Sequence, residues 1–138
     1  NWSLTADVEI LGADTEGVIY AQGKSLDGFT LFVQDGALCC VHSVLGRETS
    51  CRSASRLPSG RIIVGVTFEQ GDDDTGTIAL MAEGKEIGSI GIPDVTRTSK
   101  MRGVDIGRNR HSPITDVYQA PFEFSGIIHS VNIRVEPR

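Results

Sequence analysis

The chain has 138 residues and a net charge of −5 at pH 7. This length suits one domain with a single hydrophobic core, so we predict a single domain spanning residues 1–138. The negative charge argues against a basic surface for nucleic acid or for an anionic membrane, and no apolar run approaches the roughly 20 residues of a membrane span. Sixteen glycines with scattered valine, isoleucine and threonine favour strands and turns over helices.

Alternation of apolar and polar residues predicts a half-buried antiparallel strand at Leu4–Ile10, and Ile62–Glu69 shows the same period of two. Asp35-Gly36 predicts a two-residue hairpin turn, because both central positions need positive φ, and Glu83-Gly84-Lys85 predicts a second tight hairpin. About ten such strands separated by turns predict an all-β fold, a two-sheet antiparallel β-sandwich. The strands are Leu4–Ile10, Val18–Gln22, Phe29–Gln34, Ala37–Val44, one ending near Cys51, Ile62–Glu69, Thr77–Ala82, Glu86–Ile92, Val104–Gly107, Phe122–Ser125 and Gly126–Val135.

In the last strand, Gly126–Val135, the alternation of apolar and polar residues is interrupted near the start. Ile128 falls on the face opposite to Val131, whereas His129 shares the apolar face. A bulge near His129-Ser130 would bring Ile128 and Val131 onto the core face and expel the histidine. We predict the bulge, with a hydrogen-bonded core histidine as the alternative, and we expect the first and last strands to pair or lie close.

This last strand also carries a weak lectin-like pattern. Galectin-like sandwiches use H-x-N-x-R, in which a period of two puts three side chains on one face. The present spacing is H-x-x-N-x-R, from His129 through Asn132 to Arg134. An ordinary solvated strand is the favoured interpretation.

Three cysteines make an odd count. If the strand Ala37–Val44 turns back at Leu45-Gly46, Cys40 lies opposite Cys51 and a cross-strand disulfide becomes geometrically feasible. Free thiols in a reducing compartment are favoured, because an odd count is poor evidence for a disulfide framework. No CxxC spacing indicates a metal site.

Asp72, Asp73 and Asp74 are consecutive acids at a hairpin tip. Calcium prefers alternate acids that converge on one ion, so a solvated tip that blocks edge association is favoured over a calcium site. We therefore predict no metal and no cofactor, with calcium as the open alternative.

Catalytic motifs are not found. The E-x-D-x-x-E run of jelly-roll glucanases does not occur. A Ser-His-Asp nucleophilic triad could be composed of Ser112, His111 and Asp116. Residues adjacent in sequence rarely form such a hydrogen-bonded triad, and no G-x-S-x-G motif surrounds the serine. We predict no catalytic residues.

The best polar constellation lies in the connection between Gly103 and Gly126. Arginine forks bind carboxylate or sulfate, asparagine bonds sugar hydroxyls, and tyrosine offers a stacking face. A structural role is favoured over ligand contact, with Asp105 and Asp116 pairing with the arginines to order a long connection. The candidate ligand-binding residues are Asp105, Arg108, Asn109, Arg110, His111, Asp116 and Tyr118.

Five stretches keep the order and spacing of one known kind of domain. They are Leu4–Ile10, Gly17–Leu38, Leu57–Glu69, Gly76–Ile90 and Val104–Ile128. Together they resemble the β-sandwich domain that follows the catalytic domain in a branch of bacterial arylsulfatases, which implies a concanavalin A-like jelly roll. In those enzymes the sulfatase chemistry belongs to another domain, and its C-x-P/S-x-R motif is not formed here because Arg56 stands one position too far from Cys51.

The residues and the resemblance together predict a non-catalytic accessory or interaction module that binds a carbohydrate or a sulfated or otherwise anionic small molecule. A sulfatase catalytic domain or a second copy of the chain are the expected macromolecular partners, in the bacterial cytoplasm or periplasm. Two alternatives stay open. One is a structural or self-associating sandwich without a small ligand, and the other is an unrecognised hydrolase acting through Asp105, Asp116 or Glu123.

Overall fold

The computed structural model describes residues 2–24, 27–44, 47–71, 75–92, 104–108, 118–119 and 122–135. Within these residues the chain forms strands and no helix. The described residues therefore include no helix that is long and apolar enough to cross a membrane. The strands are β1 (Trp2–Ile10), β2 (Gly17–Lys24), β3 (Asp27–Gln34), β4 (Ala37–Val44), β5 (Arg47–Arg52), β6 (Gly60–Gln70), β7 (Gly76–Ala82), β8 (Lys85–Ile92), β9 (Asp105–Ile106) and β10 (Ile127–Val135).

These strands form two five-stranded sheets. Sheet I has the order β10-β1-β6-β7-β8, and sheet II has the order β5-β4-β3-β2-β9. Every pair of neighbours runs antiparallel. The predicted two-sheet antiparallel sandwich is confirmed, and so is the pairing of the first strand with the last.

The core lies between the sheets because alternate residues of each strand are apolar. In β1, Leu4, Ala6 and Val8 are almost fully buried, whereas the residues between them are exposed or half-buried. Trp2 covers one end of this core, with its ring stacked on Phe68 at 5.8 Å. Burial of these side chains is the main stabilising contribution to such a sandwich.

Both predicted hairpin turns are confirmed. Asp35 and Gly36 have φ of 53° and 80°, and Glu83 and Gly84 have φ of 50° and 79°. Two positive φ values are the mark of a type I′ turn, whose twist matches that of the strands it joins. The turn at Asp35-Gly36 sets the register of β3 against β4, with Gln34 opposite Ala37.

The predicted bulge is also confirmed. Asp7 pairs with Ser130 and Val8 pairs with Ile128, so His129 is the extra residue of β10. His129 is expelled to the surface, where its Nε2 lies 3.2 Å from Oε1 of Glu9.

The C-terminal connection contains less strand than the sequence predicts. Val104–Gly107 contributes only Asp105–Ile106 to sheet II. The prediction of a strand at Phe122–Ser125 is wrong, because Phe122 has a φ of 45° and Glu123 makes only an isolated bridge to Val18. A left-handed residue interrupts the extended backbone that a strand requires.

The two sheets come close together at the edge formed by β5 and β8. Just beyond β5, the amide of Ala54 donates a hydrogen bond to the carbonyl of Ile87, at 3.2 Å. A Cβ added at Gly88 would lie only 3.1 Å from the carbonyl oxygen of Arg52, so a glycine permits this approach. The contact holds the end of β5 in place. The sequence-based predictions for Leu45-Gly46, Asp72–Asp74 and the crossover Pro93–Met101 lie outside the described residues.

Candidate functional site

Strand β4 is buried on both of its faces. Seven of its eight residues are buried, whereas β1 alternates between buried and more exposed positions. Leu38 and Cys40 belong to the core between the sheets, and the alternate residues Cys39 and Val41 belong to a second cluster. Because successive side chains of a strand point to opposite faces, the second cluster lies on the outer face of sheet II.

This second cluster covers part of the outer face of sheet II with side chains from the C-terminal connection. Tyr118 packs edge-on against Phe32 with ring centres 5.0 Å apart, and Phe122 stacks on Tyr118 at 5.1 Å. The hydroxyl groups of Tyr118 and Thr30 share a buried hydrogen bond of 2.9 Å. The cluster comprises Val18, Ala21, Phe32, Ala37, Cys39, Val41 and Tyr118, with Phe122 packed against it.

Beside this cover the outer face of sheet II carries a groove of about 240 Å³. Its floor and walls come from β3, β4 and the edge strand β5. This volume lies below the range of about 300–1,000 Å³ that is usual for small-molecule pockets, so it suits a group the size of one sugar ring better than a long chain. The outer-face lining residues are Phe32, Gln34, Cys39, Val41, Ser50 and Arg52, with Cys40 and Cys51 completing the lining between them.

The register of β4 against β5 builds the polar side of this groove. Cys39 lies opposite Arg52, and Val41 lies opposite Ser50. Ser50 and Arg52 are exposed, whereas Cys39 and Val41 are buried, so the groove has an apolar floor with a polar wall. This is the usual composition of a small-molecule site, in which apolar surface gives contact area and a few polar groups fix orientation.

Arg52 contacts only uncharged atoms. Its Nη1 lies 3.9 Å from Sγ of Cys39, and its Nη2 donates to the backbone carbonyl of Asp35 at 3.5 Å. The ion pairs found in the described part of the chain join other residues. A guanidinium group has five N–H donors, so Arg52 keeps donors for a ligand.

The thiols at this groove are poor nucleophiles. Burial raises the pKa of Cys39, although the charge of Arg52 acts in the opposite direction. Burial also raises the pKa of Cys51, and it raises the pKa of Cys40 to about 12. The thiolate is the reactive form, so these cysteines remain protonated and unreactive near neutral pH.

Cys40 and Cys51 lie directly opposite each other, as predicted, and all three cysteines are free. Two residues away along the same ladder, the amide of Ser53 donates a hydrogen bond to the carbonyl of Leu38, so Leu38 and Ser53 form a hydrogen-bonded pair. Hydrogen-bonded and non-hydrogen-bonded pairs alternate along an antiparallel ladder, so Cys40 and Cys51 also form a hydrogen-bonded pair. The Cα atoms of such a pair are about 5.5 Å apart, which a disulfide can span, so the cross-strand bridge is geometrically feasible although the thiols are free here.

The structure describes three of the seven candidate residues predicted from the sequence. Asp105 is buried in β9 opposite Ala21, Arg108 is exposed, and Tyr118 is only 6% exposed. The ring of Tyr118 is packed between Phe32 and Phe122, so in this structure it serves the cover rather than an open stacking platform. The remaining candidates, Asn109, Arg110, His111 and Asp116, lie outside the described residues.

Asp105 and Arg52 lie on opposite edges of sheet II. Four strand spacings separate β9 from β5, or roughly 19 Å. The groove is therefore separate from the polar surface that the sequence predicted around Asp105. The ligand-binding role of that predicted surface stays a prediction.

The lectin-like residues of β10 lie on sheet I. Asn132 pairs with Thr5, and Arg134 pairs with Ser3, on the outward-facing positions of β1. His129 is bonded to Glu9 at the bulge. Among the described residues no cluster of three or more His, Cys, Asp or Glu side chains could hold a metal ion.

Sequence reasoning missed the groove residues Gln34, Ser50 and Arg52. None belongs to a motif, and they meet only through the pairing of three strands. One signal was available. The segment ALCCVHSV of β4 lacks polar alternation, which is typical of a strand with both faces covered.

The sequence matches no protein-family model, and no curated protein is significantly similar to it. Solved structures are similar in fold. The CBM40 module of the Ruminococcus gnavus IT-sialidase aligns with a TM-score of 0.66 at 11% identity, over 96% of this chain and 74% of that one. The same module bound to α2,3-sialyllactose gives a TM-score of 0.63 at 12% identity, over the same shares of 96% and 74%.

Domains LG4-5 of the mouse laminin α1 chain align with a TM-score of 0.68 at 14% identity, over 96% of this chain and 35% of that one. The present chain thus spans about a third of that structure. At these identities the likeness shows the fold, a β-sandwich jelly roll shared with carbohydrate-binding modules and laminin G-like domains.

Proposed function

We propose that this domain is a non-catalytic carbohydrate-binding module whose sugar occupies the groove on the outer face of sheet II. The observation that carries the proposal is the groove itself, an apolar floor with exposed polar groups beside a face that is otherwise covered. Large apolar surfaces on a soluble domain are normally buried or used for binding.

The lining matches the chemistry of a sugar ring. A pyranose has C–H faces that pack on apolar side chains and hydroxyl groups that need hydrogen-bond partners. Phe32, Cys39 and Val41 form the apolar floor of the groove, and the Gln34 amide and the Ser50 hydroxyl are groups that can each donate and accept hydrogen bonds. The strands hold these groups on a rigid platform, which limits the entropy lost on binding.

The structural comparisons support a binding role. The CBM40 module is named as a carbohydrate-binding module and has been solved with sialyllactose. The shared fold supports sugar binding by this chain, and the groove supports the proposed location of the sugar.

The groove lining also favours binding over catalysis. Glycoside hydrolysis requires two carboxylic acids, and general acid–base chemistry requires a titratable group near the reacting bond. Among the described residues that line the groove there is no carboxylate and no imidazole. Its one outward thiol, Cys39, has a pKa raised by burial, which disfavours nucleophilic attack.

The substitution Ser50→Trp tests this proposal by filling the groove from an exposed position of β5. A glycan array would first identify the bound sugars, and titration calorimetry would then compare the variants. We expect Ser50→Trp to abolish binding, because the indole occupies the ligand volume. The matched control is Thr77→Trp, which adds the same side chain at an exposed position of sheet I and should leave binding unchanged.

Two results would contradict the proposal. One is an absence of binding to every sugar at millimolar concentration by the wild-type domain. The other is an unchanged affinity in Ser50→Trp, which would place the sugar elsewhere. The relationship to the arylsulfatase-associated domain, the association with a catalytic domain and self-association stay predictions from the sequence.

A further inference from the structure

We propose that the groove selects an acidic sugar and that Arg52 binds its carboxylate or sulfate group. This inference rests on the proposed function and adds the chemical class of the ligand and the residue that recognises it.

Arg52 lies at the right place to act with Ser50. The two residues are separated by one position on β5, so they share the outer face, and their Cα atoms are roughly 7 Å apart. This spacing is about the width of one sugar ring. A sugar that bonds Ser50 through a hydroxyl can therefore place a substituent at the guanidinium of Arg52.

Among the described residues no carboxylate forms an ion pair with Arg52, although the charge of Asp35 acts on the same Cys39 thiol as the charge of Arg52 does. The contacts of Arg52 are the Cys39 sulfur and the Asp35 backbone carbonyl. The acid on the same face of β5 is Glu48, which lies four residues away, or roughly 13 Å along the strand. A ligand anion can form the direct ion pair that Arg52 does not make with the described residues.

The guanidinium group suits a carboxylate or sulfate better than a neutral hydroxyl. Its planar fork donates two parallel hydrogen bonds to two oxygens of one anion, and charge-assisted bonds are about twice as strong as neutral ones. The buried floor formed by Cys39 and Val41 lowers water access beside the fork, which strengthens the attraction.

The overall charge of the protein makes this recognition local. A net charge of −5 repels an acidic sugar at long range, so the affinity must come from direct contact rather than from steering. The expected binding therefore depends on Arg52 individually and weakens as salt screens the ion pair.

The experiment is titration calorimetry on matched sugars that differ by one acidic group. The probes are 3′-sialyllactose against lactose, and galactose 6-sulfate against galactose. We expect the wild-type domain to bind the acidic member of a pair at least about tenfold more tightly, and Arg52→Gln to remove that preference. The control is Arg47→Gln, which removes the same charge from β5 at a position that alternates to the other face.

The outcomes separate this inference from the proposed function. If the acidic and neutral sugars bind equally well, or if Arg52→Gln and Arg47→Gln weaken binding equally, the role of Arg52 is overturned while sugar binding stands. If neither sugar of any pair binds, both proposals fall. An unchanged melting temperature of Arg52→Gln will show that a loss of binding does not arise from unfolding.

Discussion

The outer faces of the two sheets differ in kind. On sheet I the outward residues meet water and pair with their neighbours, as in the bidentate contact of Arg61 with Asp7 at 2.9 Å and 3.0 Å. On sheet II the outward residues Phe32 and Val41 are only 1% exposed, because a second apolar cluster lies on them. One sheet thus has a single buried face, and the other has two.

This difference indicates where binding is expected. The outer face of sheet I carries exposed ion pairs and single exposed apolar side chains such as Ile63, and such pairs contribute little to stability. On sheet II the groove lies at the apolar cluster and shares Phe32, Cys39 and Val41 with it. The cover over sheet II and the groove next to it are therefore parts of one arrangement.

The sharpest test of this comparison is to truncate one apolar side chain on each outer face. Phe32→Ala should lower the free energy of unfolding by about 3–5 kcal/mol, because the ring is buried among Tyr118 and Phe122. Ile63→Ala on sheet I should lower it by less than about 1 kcal/mol, since Ile63 is 45% exposed.

Urea denaturation followed by fluorescence would measure both values. Equal losses in the two variants would show that the outer face of sheet II is not a second core, and the contrast between the faces would fail.

The features that depend on local alternation of apolar and polar residues could be predicted from the sequence. Leu4–Ile10 reads as a strand because its core side chains recur at every second position, and β1 confirms it. The hairpin at Asp35-Gly36 and the bulge at His129 were also predictable, since each depends on a few neighbouring residues. Local chemistry was sufficient for these features.

The groove could not be predicted in the same way. Its polar wall combines Gln34 from β3 with Ser50 and Arg52 from β5, which meet only through the register of three strands. The cover also escaped prediction, because Tyr118 follows no periodic pattern and was interpreted as a stacking face. Its burial depends on tertiary packing against Phe32, a residue far away in the sequence.

A smaller effect is expected from the hydrogen bond that anchors the cover. Tyr118→Phe removes the hydroxyl group that bonds Thr30 at 2.9 Å in a buried setting. We expect a loss of about 1–2 kcal/mol in the free energy of unfolding, because the Thr30 hydroxyl is left without this partner.

A double-mutant cycle with Thr30→Val would isolate the contribution of this pair. If the two substitutions are additive, the hydroxyl groups do not interact in solution, and this hydrogen bond does not anchor the cover over sheet II.

The smallest effect belongs to the solvated face of sheet I. The hydrogen bond from Arg61 lowers the pKa of Asp7 below its ordinary value, with a further contribution from the charge of Arg61. A lowered pKa in the folded state means that the pair stabilises the protein above the unfolded pKa, near pH 4, and that this stabilisation is lost as the pH falls through the folded value. Asp7→Asn should therefore lower the melting temperature slightly at pH 7, and its curve of melting temperature against pH should converge with the wild-type curve at acidic pH.

Thermal melts of both proteins from pH 7 to pH 2 would measure this difference. Because the pair is exposed, added salt should shrink the difference at pH 7. A larger loss in Asp7→Asn than in Phe32→Ala would reverse the ranking of the two faces, since it would make the solvated face the more important one for stability.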